Sequence, residues 1–108
     1  MNEYIRIAAT CINANRASDI LYFDLRFSEG EISKRFPIFG WQNNSGFSSP
    51  FVVLDGQVDF GSIYKAQQYG RTDLIQCEIA IGKLIRWFSS DYDEQYKITS
   101  FKPIDDLV

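Results

Sequence analysis

Residues 19–28, DILYFDLRFS, alternate apolar and polar side chains more cleanly than any other stretch of the chain. Leu21, Phe23, Leu25 and Phe27 share one parity, and Tyr22, Asp24 and Arg26 share the other. A period of two separates these sets only in an extended strand, where successive side chains point to opposite faces. One dry face and one wet face is the signature of an antiparallel sheet covering a core. The rest of the chain therefore has to supply partners for such a strand.

Several segments do so. In YIRIAATCI, residues 4–12, Ile5, Ile7, Ala9 and Cys11 oppose Tyr4, Arg6 and Thr10. FVVLDGQVDF, residues 51–60, carries Asp55-Gly56 between apolar flanks, and that pair supplies the positive φ values of a two-residue hairpin turn. DLIQCEIAI, residues 73–81, sets Ile75, Cys77, Ile79 and Ile81 against Leu74, Gln76 and Glu78, which predicts a further strand interrupted at Gly82. KLIRWF continues it, and EQYKITSFKPI reads as a last strand stopped by Pro103. GWQNNSGFSSP, residues 40–50, combines Gly, Asn, Ser and Pro and predicts a surface loop. Segments 28–36 and 61–69 could be short strands or single short helices.

Together these features predict a mainly β, single-domain fold over residues 1–108. The expected form is an antiparallel sandwich or partly open barrel of six to eight short strands, with at most one or two short helices. A helix at 28–36 or 61–69 would make it α+β. A chain of 108 residues, 45% hydrophobic and 16% aromatic, can bury one core without staples. Cys11 and Cys77 stand far apart in apolar surroundings, which fits two buried thiols in a reducing compartment rather than a disulfide framework. The start MNEYIRIAAT lacks a charged segment followed by a long apolar core, and no apolar run is long enough to span a bilayer. The expectation is a soluble, cytoplasmic protein.

The absence of His from the sequence removes the usual general base, the Ser–His and Cys–His pairs, and most zinc sites. No glycine-rich phosphate loop appears. Asp24, Asp59 and Glu78 are the remaining candidates for a carboxylate pair, and each reads better as the solvent face of its strand. Asp91, Asp93 and Glu94 are too tightly spaced for a calcium loop and lack its glycine. The reading is that the protein is not an enzyme and needs no metal or cofactor.

A binding role remains. The acids Asp91, Asp93, Glu94, Asp105 and Asp106 gather toward the C-terminus, with Trp87, Tyr92 and Tyr96 among them. If the last strand pairs with KLIRWF, these residues sit at a hairpin tip and could meet a cationic protein partner, the charges speeding encounter and the rings supplying anchors. The alternative is a solvated tip with its rings in the core. A second candidate interface is Phe39, Trp41 and Phe47 within FPIFGWQNNSGFSSPF, unless these rings fold back over the core. A net charge of −3, with Lys34-Arg35 the only adjacent basic pair, argues against nucleic acid. A homodimer built on a strand edge or on the 36–51 aromatics, and an OB-type nucleic-acid-binding barrel, stand as alternatives.

In length, acidity, single-domain build and the strand–acidic-loop–strand ending YKITSFKPI, the chain resembles the small acidic immunity proteins of bacterial toxin–immunity pairs, including contact-dependent growth inhibition systems. The resemblance implies capture of a cognate toxin domain, often a nuclease with a basic cleft. It carries over no individual functional residue.

Overall fold

The computed structural model describes residues 2–13, 15, 18–28, 31–32, 37–61, 70–90 and 92–104. Among them stand nine strands: β1 Asn2–Cys11, β2 Ile20–Ser28, β3 Glu31–Ile32, β4 Ile38–Asn44, β5 Phe47–Leu54, β6 Gln57–Asp59, β7 Gly70–Thr72, β8 Leu84–Phe88 and β9 Asp93–Pro103. All pair antiparallel. Apart from the two-residue β3 beside β2, each strand neighbours the next along the chain, and β1 pairs with both β2 and β9. The sheet thus closes on itself as an eight-stranded up-and-down barrel. Closure removes the long free edges of an open sheet. It also corrects the OB-type alternative, which requires a five-stranded Greek-key order.

Strand parity sorts the side chains as the alternation predicts. Ile5, Ile7, Ala9 and Cys11 of β1 and Leu21, Phe23 and Leu25 of β2 point inward and are buried. Ile38, Phe51, Val53, Val58, Ile85, Trp87, Tyr96 and Ile98 complete the barrel interior. At its centre Phe51 packs against Trp87 at 5.1 Å and Phe23 at 5.5 Å, and Trp87 reaches Tyr96 at 6.4 Å. Eight strands leave a lumen just wide enough for such side chains to fill. Each large apolar group buried here contributes about 1.5–3 kcal/mol. Gly40 makes room for this packing. A Cβ on Gly40 would collide with the Tyr22 carbonyl oxygen and lie 2.8 Å from the Phe51 ring.

Two tight hairpins shape one side of the barrel. Asp55 and Gly56 have φ of 51° and 79°, and Ser45 and Gly46 have 51° and 89°. Positive φ at both central residues defines a type I′ turn, whose twist matches the flanking strands. The loop expected at 40–50 is therefore the β4–β5 hairpin, turned at Ser45-Gly46.

The strand expected at 73–81 is absent. After β7 the chain makes a single 3₁₀ turn at Leu74–Gln76, with Leu74 buried. The Thr72 hydroxyl accepts from Leu74 N–H at 3.3 Å and the Asp73 carboxylate from Arg86 N–H at 2.8 Å. These bonds satisfy backbone groups that a ladder would otherwise pair. Ile75 and Ile79 join Phe27 and Ile32 against the core. Leu74, Ile75 and Ile79 thus cover part of the core without pairing in the sheet, whereas Ile81 is exposed. The short helices considered at 28–36 and 61–69 fall largely outside the described residues. Among the described residues no helix is long and apolar enough to cross a membrane.

Candidate functional site

The last strand does pair with KLIRWF as the β8–β9 hairpin, with Trp87 opposite Glu94 and Phe88 opposite Asp93. The aromatic residues expected to anchor a partner there turn inward. Trp87 is 2% exposed and Tyr96 0%, so neither ring is offered to a partner. Tyr92 packs against the core, and its hydroxyl lies 2.5 Å from where a Cβ on Gly70 would stand. Alternation explains this outcome: Trp87 shares parity with Ile85, and Tyr96 with Ile98, so these four fill the lumen.

The acids of this region divide. Asp93 is exposed and accepts two bonds from the Arg86 guanidinium, at 3.0 Å from Nε and 2.9 Å from Nη2. That bonding, with the guanidinium's positive charge, holds the Asp93 carboxyl below its ordinary value. Arg86 also lies over the Phe88 ring at 3.9 Å. Glu94 is half-buried on the inward parity, 3.8 Å from the Cys11 thiol. Asp91, Asp105 and Asp106 lie outside the described residues. Among the described residues, no three metal-ligating side chains gather at one point.

The second candidate surface gains what the hairpin loses. Phe39 is 62% exposed and Phe47 78%. Trp41 is half-buried and stacks on Tyr22, with ring centroids 4.8 Å apart and planes within 12°. Register places Phe39 and Trp41 on the outer wall of the barrel, whereas Phe47 shares the inward parity of Phe51 and Val53 and stands at the end of the barrel beside the β4–β5 turn. One cross-strand row runs Ser100, Ala8, Tyr22, Trp41, Pro50, and the next runs Lys102, Arg6, Asp24, Phe39, Val52. Tyr4 stands opposite Arg26 one row further, and exposed Leu54 ends β5 on the same face. An apolar strip thus crosses the outside of β2, β4 and β5, with cations along its β1–β9 border.

Arg6 joins the two zones. It holds Asp24 through two bonds, at 2.6 Å from Nε and 2.9 Å from Nη2, and lies 4.9 Å from the centre of the Trp41 ring. Beside it opens a cleft of about 410 Å³, lined by Ala8, Tyr22, Trp41, Asn43, Ser100 and Lys102 as well as Arg6. Ala8 brings only a methyl group between Ser100 and Tyr22, so the wall dips there. A bulge adds Thr99 to β9 opposite the Ala8–Ala9 step, and its hydroxyl donates to the Ala8 carbonyl at 3.4 Å. Sequence reasoning named Phe39, Trp41 and Phe47 but missed Arg6, Tyr22, Leu54 and Lys102. The available signal was Tyr22, an aromatic residue on the polar parity of the most regular strand.

No protein-family model, no curated protein and no solved structure matches this chain.

Proposed function

We propose that the protein is a non-enzymatic protein-binding module of the inhibitor kind, and that its partner docks on the outer wall of β2, β4 and β5. The observation that carries this reading is the pairing of a solid interior with an aromatic outer strip. Among the described residues, the lumen is occupied by the buried side chains of Phe23, Phe51, Trp87 and Tyr96, which turns the reading toward the surface. Phe39, Leu54 and Tyr4 stand exposed there beside the Tyr22–Trp41 stack and Arg6. Clustered exposed apolar residues rimmed by charge mark interaction sites, and Trp, Tyr and Arg dominate binding hot spots. An immunity protein that masks a toxin domain is one role of this kind. The β8–β9 tip supports it less well, because the ring anchors are buried and Asp93 already has Arg86.

Retention of proteins from a cell extract on the immobilised chain tests the reading. We expect a retained protein to be lost at least about tenfold when Phe39→Ser and Leu54→Ser are combined, and kept in Asp93→Ser. Added to the retained protein in solution, the chain should reduce that protein's activity. Loss in Asp93→Ser with retention unaffected by the outer-wall pair would move the site to the hairpin. A dimer in light scattering that Phe39→Ser dissociates would make the outer wall a self-association surface instead.

A further inference from the structure

We infer, building on the outer-wall reading, that the partner presents an acidic segment, which lies along the β9–β1 border of the apolar strip and over the cleft above Ala8. The charge pattern is the first argument. Lys97, Lys102, Arg6 and Arg26 share the outer face of β9, β1 and β2, where the described carboxylates are Asp24 and, toward the start of β9, Asp93, which Arg86 holds. Asp24 is already held by Arg6 through two bonds. Among the described residues, neither Lys97 nor Lys102 takes part in an ion pair. Among the described residues these four cations outnumber the two carboxylates of this face, although the chain as a whole carries −3. A face of one sign draws in and orients a partner segment of the other sign.

The cleft supplies the second argument. Lys102, the Ser100 hydroxyl and the Asn43 amide all border it and can all donate to carboxylate or peptide oxygens. The apolar strip supplies the third, and it separates a protein partner from a nucleic acid. Phe39 borders a cleft with Arg26, while Val52, Pro50 and Leu54 extend the apolar surface onto β5. A polypeptide can cover these residues with apolar side chains of its own. Nucleic-acid interfaces are more polar and more uniformly positive. The Trp41 ring, moreover, is already engaged by Tyr22 and Arg6, which leaves less of it for a base to stack upon.

Three probes test the inference at low salt. They are a ten-residue peptide alternating Glu with Phe and Leu, the same peptide with Lys replacing Glu, and a ten-nucleotide oligothymidylate. Amide and indole N–H shifts in NMR titrations report both affinity and place. We expect the acidic peptide to shift Ala8, Ser100 and the Trp41 indole. It should bind about tenfold more weakly to the Lys97→Glu/Lys102→Glu variant, and weaken likewise in high salt. The Lys peptide should bind this face more weakly than the Glu peptide.

Equal or tighter binding of the Lys peptide or the oligothymidylate at these residues would overturn the inference. So would an unchanged affinity in the double Lys variant, or no shift with the acidic peptide at millimolar concentration. The two proposals fail separately. Loss of partner retention in Phe39→Ser/Leu54→Ser combined with indifference to the Lys pair would leave the docking wall standing and remove only the acidic segment.

Discussion

Gly40 shows how tightly a single position is constrained in this barrel. It faces Phe23 across one ladder and Phe51 across the other, and a methyl group there would meet backbone as well as ring. Backbone cannot step aside as a flexible side chain can, so Gly40→Ala should destabilise the fold by about 1–3 kcal/mol in urea unfolding. An unchanged midpoint would mean that Phe51 is not seated as described. Cys77 illustrates electrostatics at the same scale. Burial first, then the hydrogen bond and negative charge of Asp73, push its thiol up to about 11. At pH 8 roughly a thousandth of it is thiolate, the reactive form. Cys11 is buried. Neither thiol should therefore react readily with a disulfide reagent until the protein unfolds, and one fast-reacting thiol in the native state would refute this. The Asp93–Arg86 pair gives a pH signature. The folded carboxyl lies below its ordinary 3.8, so the pair's stabilisation is present above that value and lost as pH falls through the folded one. Any stability difference between the protein and Asp93→Asn should accordingly vanish in strong acid. A difference that persists there would have another cause than the ion pair.

The elements that were legible in the sequence are those where one local rule dominates. The period of two in β1 and β2 survives folding because each strand has the lumen on one side and solvent on the other. Asp55-Gly56 was legible because few sequences tolerate two positive φ values in succession. The β4–β5 hairpin was not. Its turn is Ser45-Gly46, and around it the outward residues are Asn and Ser while Gly40 takes an inward place, so the stretch reads as loop. The 73–81 segment failed the other way. Its Leu74, Ile75 and Ile79 pack against the core from a 3₁₀ turn and an irregular run, mimicking strand alternation without a ladder, while Ile81 is exposed. The outer-wall cleft was illegible for a further reason. It joins Arg6, Tyr22, Trp41 and Lys102 from four strands, and only the register shows them as neighbours. The Ser45 turn itself invites a test. Asn adopts positive φ more readily than Ser and is preferred before Gly in type I′ turns. Ser45→Asn should raise stability by ~0.5 kcal/mol, seen as a higher urea midpoint at unchanged slope. A lower midpoint would argue against this turn geometry.

At the scale of the whole molecule, closure depends on joining the two ends of the sequence. β1 pairs with β9 from Ile5–Pro103 to Cys11–Tyr96, and with β2 over nine residues from Asn2 to Thr10. These long ladders enclose most of the inward apolar residues and also form the cationic border of the outer wall. Across the barrel, among the described residues, β6 and β7 have three residues each, and two residue pairs join β6 to β7 and two join β7 to β8. Opening free energy follows the local density of buried contacts and ladder bonds, so the barrel should not open uniformly. Amides of β1, β2 and β9 should exchange with solvent only through global unfolding, whereas those of β6 and β7 should exchange through a lower-energy local opening. Native-state hydrogen exchange across a urea series can resolve this order. If β6 and β7 exchange as slowly as β1, the short ladders are not the weak seam. If the predicted order holds, the cationic border of the proposed docking wall, on β9, β1 and β2, rests on the stable side of the barrel. Arg6, Tyr22 and Lys102 would then keep their spacing without a partner, and binding would carry little ordering cost on this side of the interface.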